Sequence, residues 1–249
     1  LQDKHHYIVR VKDEVCEDIR VGNVRGVHSS RSEEIAREIA DADCVATAVG
    51  PNALPHIFET LARGIALRTS PLSVIMCENL RGASRMAREG VLRYLPEGFD
   101  IDAAVGFVET SIGKMVPIMP ADVTARDPLE VWAERYNLII ADADAFIGPE
   151  IAVDGIQKRP FFQAHVDRKL FIHNMGHATC AYHGFLAGKT FLWEAVAIPR
   201  IAEATRGAMW ESAGMLIGRY SHVFDEAGQH EHIEDLLRRF ANRALGDTV

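Results

Sequence analysis

Lys169, Asn174 and His177 are the residues whose types and spacing best suit chemistry. They lie in Arg168-Lys169-Leu170-Phe171-Ile172-His173-Asn174-Met175-Gly176-His177, a stretch with helical periodicity. At about 100° per residue, with Lys169 at zero, His177 falls near about 80° and Asn174 near about 140°, so all three project from one side of the helix. An amine whose proton is loosened by desolvation is a base. A carboxamide can donate to a developing oxyanion, and an imidazole can orient a hydroxyl.

Other residues carry weaker signals. His173 and His177 stand at i, i+4, a spacing that chelates zinc, and His165 and His183 share the helix. The chain has no HExxH motif and no obvious third ligand, so a metal-dependent lyase or hydrolase using His173 and His177 stands as a second reading. Arg206 can reach a sugar phosphate or form a surface ion pair, since a guanidinium suits planar anions. Asn79 is either a ligand residue or the N-cap of the helix after its strand. Glu78 is either a second proton carrier or an ion-pair partner.

These residues need a scaffold, and its pattern is readable. Up to about residue 150, short β-branched runs alternate with helical stretches, the signature of an α/β sheet with crossover helices. Strands are expected at Tyr7–Val11, Val24–His28, Cys44–Val49, Val74–Cys77 and Ala103–Val108. Helices are expected at Leu54–Ala66, at Ala83–Tyr94, and from a Ser30-x-x-Glu33 capping box to about Asp41. The apolar run Cys44 to Val49 ends in Gly50-Pro51, which places Thr47, Ala48, Val49, Gly50 and Pro51 at a strand end, where open α/β sheets bind ligands. After a polar linker at Gly155 to Pro160 the periodicity turns helical, with helices at about Phe161–Ala187, Phe191–Ala197, Ile201–Arg219 and His230–Arg243. The expected domains are therefore residues 1–155, α/β, and 156–249, all-helical.

Composition narrows the function classes. The 249 residues are 48% hydrophobic, enough for a sizeable core, and the net charge of -8 argues against nucleic acid and anionic membrane surfaces as partners. No apolar stretch approaches the roughly 18–20 residues of a membrane span, so a soluble, cytoplasmic protein is expected. Cys16, Cys44, Cys77 and Cys180 form no CxxC pair and read as reduced, largely buried thiols. No GxGxxG loop occurs, and the chain opens at Leu1-Gln2-Asp3-Lys4 in what reads as a helix end. Both features are expected of a chain lacking an upstream βαβ unit of about 30 residues.

Lys169-x-x-x-x-Asn174-x-x-His177 resembles the signature of the polyol-specific long-chain dehydrogenases, the mannitol dehydrogenase family. Thr47-Ala48-Val49-Gly50-Pro51, Cys77-Glu78-Asn79, Asp127-Pro128-Leu129-Glu130-Val131, Gly207-Ala208-Met209 and Arg219-Tyr220 fall in that family's order, so the resemblance covers nearly the whole chain. It implies a Rossmann-like domain followed by a helical substrate domain, truncated at both ends. It also implies metal-independent interconversion of mannitol 1-phosphate and fructose 6-phosphate with NAD, with free polyols or hexuronates as alternative substrates. By resemblance, Lys169 is the acid/base, Asn174 and Asn79 hold the alkoxide-like oxygen, His177 binds an adjacent hydroxyl, and Thr47 to Pro51 lie against the dinucleotide. Gly113-Lys114 replaces an Asp-Arg pair of the family. A non-catalytic fragment, poor in NAD affinity, is the remaining alternative.

Overall fold

The computed structural model describes every residue except Gln2, Asp3 and Glu14, so the helix end expected at the start falls partly outside the described residues. In chain order the elements begin with β1 (His6–Val11), β2 (Glu17–Gly22), α1 (Ser32–Asp41), β3 (Cys44–Thr47), α2 (Phe58–Ala66), β4 (Leu72–Met76) and α3 (Ala83–Leu92). They continue with α4 (Ile101–Ala104), β5 (Val105–Ile112), α5 (Ala121–Arg126), β6 (Glu130–Ala133), β7 (Ile139–Asp142), β8 (Ile156–Arg159) and α6 (Phe162–Arg168). A π-helical turn (Lys169–Asn174) leads into α7 (Met175–Leu186), followed by α8 (Leu192–Val196), α9 (Pro199–Arg219) and α10 (Glu226–Phe240).

The chain forms an α/β, Rossmann-like sheet followed by helices, and divides into two compact units. One unit, Gly26–Ile112 with Leu138–Phe162, holds a five-stranded sheet of order β3-β4-β5-β7-β8. The β3, β4 and β5 strands run parallel, β7 is antiparallel to β5, and β8 is parallel to β7. All five β4 residues are buried, as expected of a strand covered on both faces. Its core packs Leu54, Phe58, Leu61 and Ile65 against Leu72, Val74, Met76, Val91 and Phe107.

The other unit joins Leu1–Arg25 and Gly113–Asn137 to Gln163–Val249. Its three-stranded sheet, β2-β1-β6, pairs β1 antiparallel to β2 and parallel to β6. Its helical core gathers Ile172, Cys180, Leu192, Met209, Leu216, Ile233, Leu236 and Phe240. This grouping cuts across a single boundary near residue 155, because β1, expected in the α/β sheet, pairs outside it.

Several local expectations are corrected. Val24–His28 is a loop, and the neighbouring strand is the largely exposed β2, whose charged residues hide its period. Helix α1 begins with Arg31 as N-cap and no capping side chain. The Ser30 hydroxyl bonds His28 Nδ1 instead, at 2.8 Å, and Glu33 pairs with Arg63. The stretch read as a linker contains the edge strand β8. Cys16 is exposed and only Cys180 is fully buried, although all four thiols are free. Among the described residues, no helix is long and apolar enough to cross a membrane.

Candidate active site

The sequence-predicted residues fall into two groups, one in each unit. Lys169, Asn174 and His177 belong to the helical unit, and the helix carrying them is not uniform. From Lys169 to Asn174 it is π-helical, and the Met175 amide donates to the carbonyl of Leu170, five residues back. A wider turn, at roughly 80° per residue, carries Asn174 to within about 50° of Lys169 and leaves His177 almost in line with it. The expectation of a plain α-helix is thus corrected, and the shared face becomes narrower.

Lys169 is half-buried, Asn174 exposed and His177 half-buried. Burial pushes the Lys169 ammonium below the ordinary lysine range, because the charged form loses hydration. His177 Nε2 lies 3.8 Å from the Asp247 carboxylate, and its ring meets Phe240 edge-on at 5.3 Å. His173 is buried, with its pKa pushed down to about 3, chiefly by burial and further by Arg239, His177 and Lys169. Among the described residues no group of three His, Cys, Asp or Glu could hold a metal ion.

Sequence reasoning missed the support around these groups. Arg239 on α10 forms a buried bidentate pair with Glu134, stacks over Tyr136 at 4.1 Å and donates to the Gly113 carbonyl. Lys114 donates to the carbonyls of Glu134 at 2.9 Å and Tyr136 at 2.6 Å. The charge pairing in this region therefore runs between Glu134 and Arg239, and Gly113-Lys114 contributes backbone and amine. Arg206 is engaged by Glu234 at 2.7 and 3.2 Å, so a phosphate at Arg206 would compete with that carboxylate.

In the sheet unit, the loop Thr47 to Pro51 follows β3, and Asn79 follows β4, at the carboxyl ends of adjacent parallel strands. Thr47 is buried, its hydroxyl directed to the Met76 sulfur, while Ala48, Val49 and Pro51 are exposed. The buried Glu78 carboxylate accepts from the amides of Val49 at 3.0 Å and Gly50 at 2.8 Å. Glu78 is thus a loop clamp rather than an ion-pair partner. Gly50 has φ +85 and open space where a Cβ would stand, a conformation glycine adopts without strain. Asn79 is exposed and does not cap α3, whose N-cap is Gly82; the Glu109 carboxylate instead accepts from the Gly82 amide and the Ser84 hydroxyl.

Comparison with known proteins divides the chain linearly, unlike the interleaved compact units. The family model of the mannitol dehydrogenase Rossmann domain matches residues 1–155, and that of the mannitol dehydrogenase C-terminal domain matches residues 162–249. The chain belongs to the mannitol dehydrogenase family. Within it, a mannitol-1-phosphate 5-dehydrogenase of Halalkalibacterium halodurans is 35% identical over 253 residues, covering 100% of this chain and 66% of that protein. A Pseudomonas fluorescens mannitol 2-dehydrogenase, solved with NAD and D-mannitol, has the same fold with a TM-score of 0.74 at 17% identity, over 98% of this chain and 59% of that one. A D-sorbitol dehydrogenase in substrate-free form gives 0.78 at 14% identity, over 98% and 60%. This family member spans less than two thirds of the length of each of these relatives.

Proposed function

We propose that this chain carries the catalytic residues of an NAD-dependent oxidoreductase interconverting D-mannitol 1-phosphate and D-fructose 6-phosphate. The observation that carries the reading is Lys169: a half-buried amine, on the family's Lys-Asn-His stretch, whose proton is loosened by burial. The substrate follows from the relative that is 35% identical.

The Thr47 to Pro51 loop and Asn79 fit a dinucleotide. They end parallel strands, Glu78 fixes the loop from behind, and Gly50 leaves open space at its surface. NAD, when bound, supplies the hydride acceptor. The chain's own residues handle the proton. In oxidation the neutral Lys169 amine takes the proton of the reacting hydroxyl, and in reduction its ammonium returns it. The Asn174 carboxamide donates to the oxygen as negative charge develops there. His177, backed by Asp247 at 3.8 Å, binds an adjacent hydroxyl and holds the polyol in register.

The test is NADH oxidation by the complete polypeptide with fructose 6-phosphate and, separately, with fructose. Turnover of the phosphate ester and none of the free ketose is expected. Preference for fructose would remove the phosphorylated substrate, and inactivity with both sugars and with the corresponding polyols would remove the dehydrogenase reading.

A further inference from the structure

The π-helical turn that presents Lys169 is bracketed by contacts with a single neighbouring helix. Behind it, Gly176 lets α7 close on α9. A Cβ there would stand 2.7 Å from the Met209 sulfur, so only glycine permits the approach without displacement. Ahead of it, the buried Asp167 stands in the last turn of α6, two residues before Lys169, and its two carboxylate oxygens are bonded differently. Oδ1 accepts from Gln163 at 2.7 Å, a bond internal to α6. Oδ2 accepts from the hydroxyl of Tyr220, the residue that closes α9, at 2.6 Å.

That second bond is of the strong, charge-assisted kind, since an O–H donor to a carboxylate makes a short link. It is reinforced one turn along the chain. The Val223 and Phe224 amides fold back on the Tyr220 carbonyl, and the Phe224 ring packs edge-on to His165 at 5.6 Å and beneath the Arg168 guanidinium at 4.9 Å. Three residues of the last turn of α6, His165, Asp167 and Arg168, are therefore gripped by Tyr220 and Phe224. A π turn is rare and occurs mostly as a single turn inside an α-helix, so contacts at its ends bear on where it forms.

We propose that Tyr220 is a positioning residue: by donating to Asp167 it fixes where α6 gives way to the π turn, and so fixes the placement of the Lys169 side chain. The role rests on the reading of Lys169 as the acid/base. Loosening the junction lets Lys169 reach water, which restores the hydration of its ammonium. The other charged and titratable groups around this turn include His165, Arg168, His173 and His177 on its own helix, Glu134 and Tyr136, His232, Asp235 and Arg239 of α10, and Asp247. Tyr220→Phe removes the hydroxyl and keeps the ring against Phe224.

The experiment compares Tyr220→Phe and Asp167→Asn with the unaltered protein. Asn retains an acceptor for the Tyr220 hydroxyl. Two readouts are taken: the pH profile of polyol phosphate oxidation, and the pH dependence of Lys169 acylation followed by mass spectrometry, which needs no turnover. For Tyr220→Phe the acid limb and the Lys169 titration both move upward by about one pH unit, lowering kcat/KM about tenfold at neutral pH, while activity recovers at high pH and NADH binding holds. Asp167→Asn stays close to the unaltered profile. A lowered melting temperature with an unmoved Lys169 titration in Tyr220→Phe overturns the role, as does a downward shift in Asp167→Asn, which would mean that Asp167 acts by charge. An unaltered protein without turnover removes the proposed function, while Lys169 acylation still judges the positioning role.

Discussion

The carboxylate of Glu78, two residues past β4, holds the Gly50 amide at 2.8 Å and thereby ties the loop after β3 to the segment that follows the neighbouring strand. Replacing Glu78 with Ala leaves two amides without a protein acceptor in a loop proposed to meet NAD. The expected cost is about 1–2 kcal/mol of local order, read as roughly a tenfold rise in the Kd for NADH by fluorescence titration. Glu78→Gln, which keeps one acceptor oxygen, should fall between. Unchanged NADH affinity in Glu78→Ala would detach this loop from cofactor binding.

Lys169→Ala should lower turnover by at least roughly 10²-fold, the usual contribution of a positioned acid/base. NADH binding should hold, and added methylamine should restore part of the rate. Steady-state kinetics beside NADH titration separates the two effects, and near-normal turnover would refute the assigned role.

Stability should fall on mild acidification. His173 and His232 are both pushed down to about 3, first by burial, from an ordinary value near 6.5. Between these values the unfolded chain binds protons that the folded one does not, so stability is full above about pH 6.5 and drains as pH falls toward 3. The loss at pH 5 is at most about 2 kcal/mol per histidine. Urea midpoints at pH 7.5, 6 and 5 should decline more shallowly in His232→Leu, and parallel declines would contradict the assignment.

Glu134 and Arg239 form a buried pair, with side chains 4% and 11% exposed. Glu134→Ala leaves the guanidinium uncompensated and should cost about 3–5 kcal/mol, whereas the double change with Arg239→Met should recover much of that loss. Chemical denaturation of the two single variants and the double variant checks the coupling; additive losses would show that the pair is not linked.

Legibility in the sequence followed periodicity. β4 and the α9 helix could be read because the apolar run Val74 to Met76 is short and mostly β-branched, and because Ile201, Thr205, Met209, Ala213 and Leu216 recur at helical spacing. β2 could not, since Glu17, Asp18 and Arg20 sit on an exposed hairpin strand whose pairing with β1 is decided by tertiary contact. Lys169, Asn174 and His177 were visible by type and spacing, but the π turn was not, because it depends on contacts from Met209 and Tyr220 far along the chain. Glu134 and Arg239 lie 105 positions apart, and neither stands in a motif, so only folding reveals them as partners.

The interleaving of the two units has a consequence for biogenesis. The backbone passes from one unit to the other at 25/26, 112/113, 137/138 and 162/163. During synthesis, the strands β3, β4, β5, β7 and β8 have all been made once residue 162 emerges. The β1–β2 hairpin and β6 must wait for α10, because Asn242 reaches back to the Lys12 carbonyl and Arg239 to Glu134. Translation order therefore leaves the β1–β2 hairpin dependent on a helix made long after it, and a ribosome stalled after residue 162 would present an unprotected hairpin to chaperones.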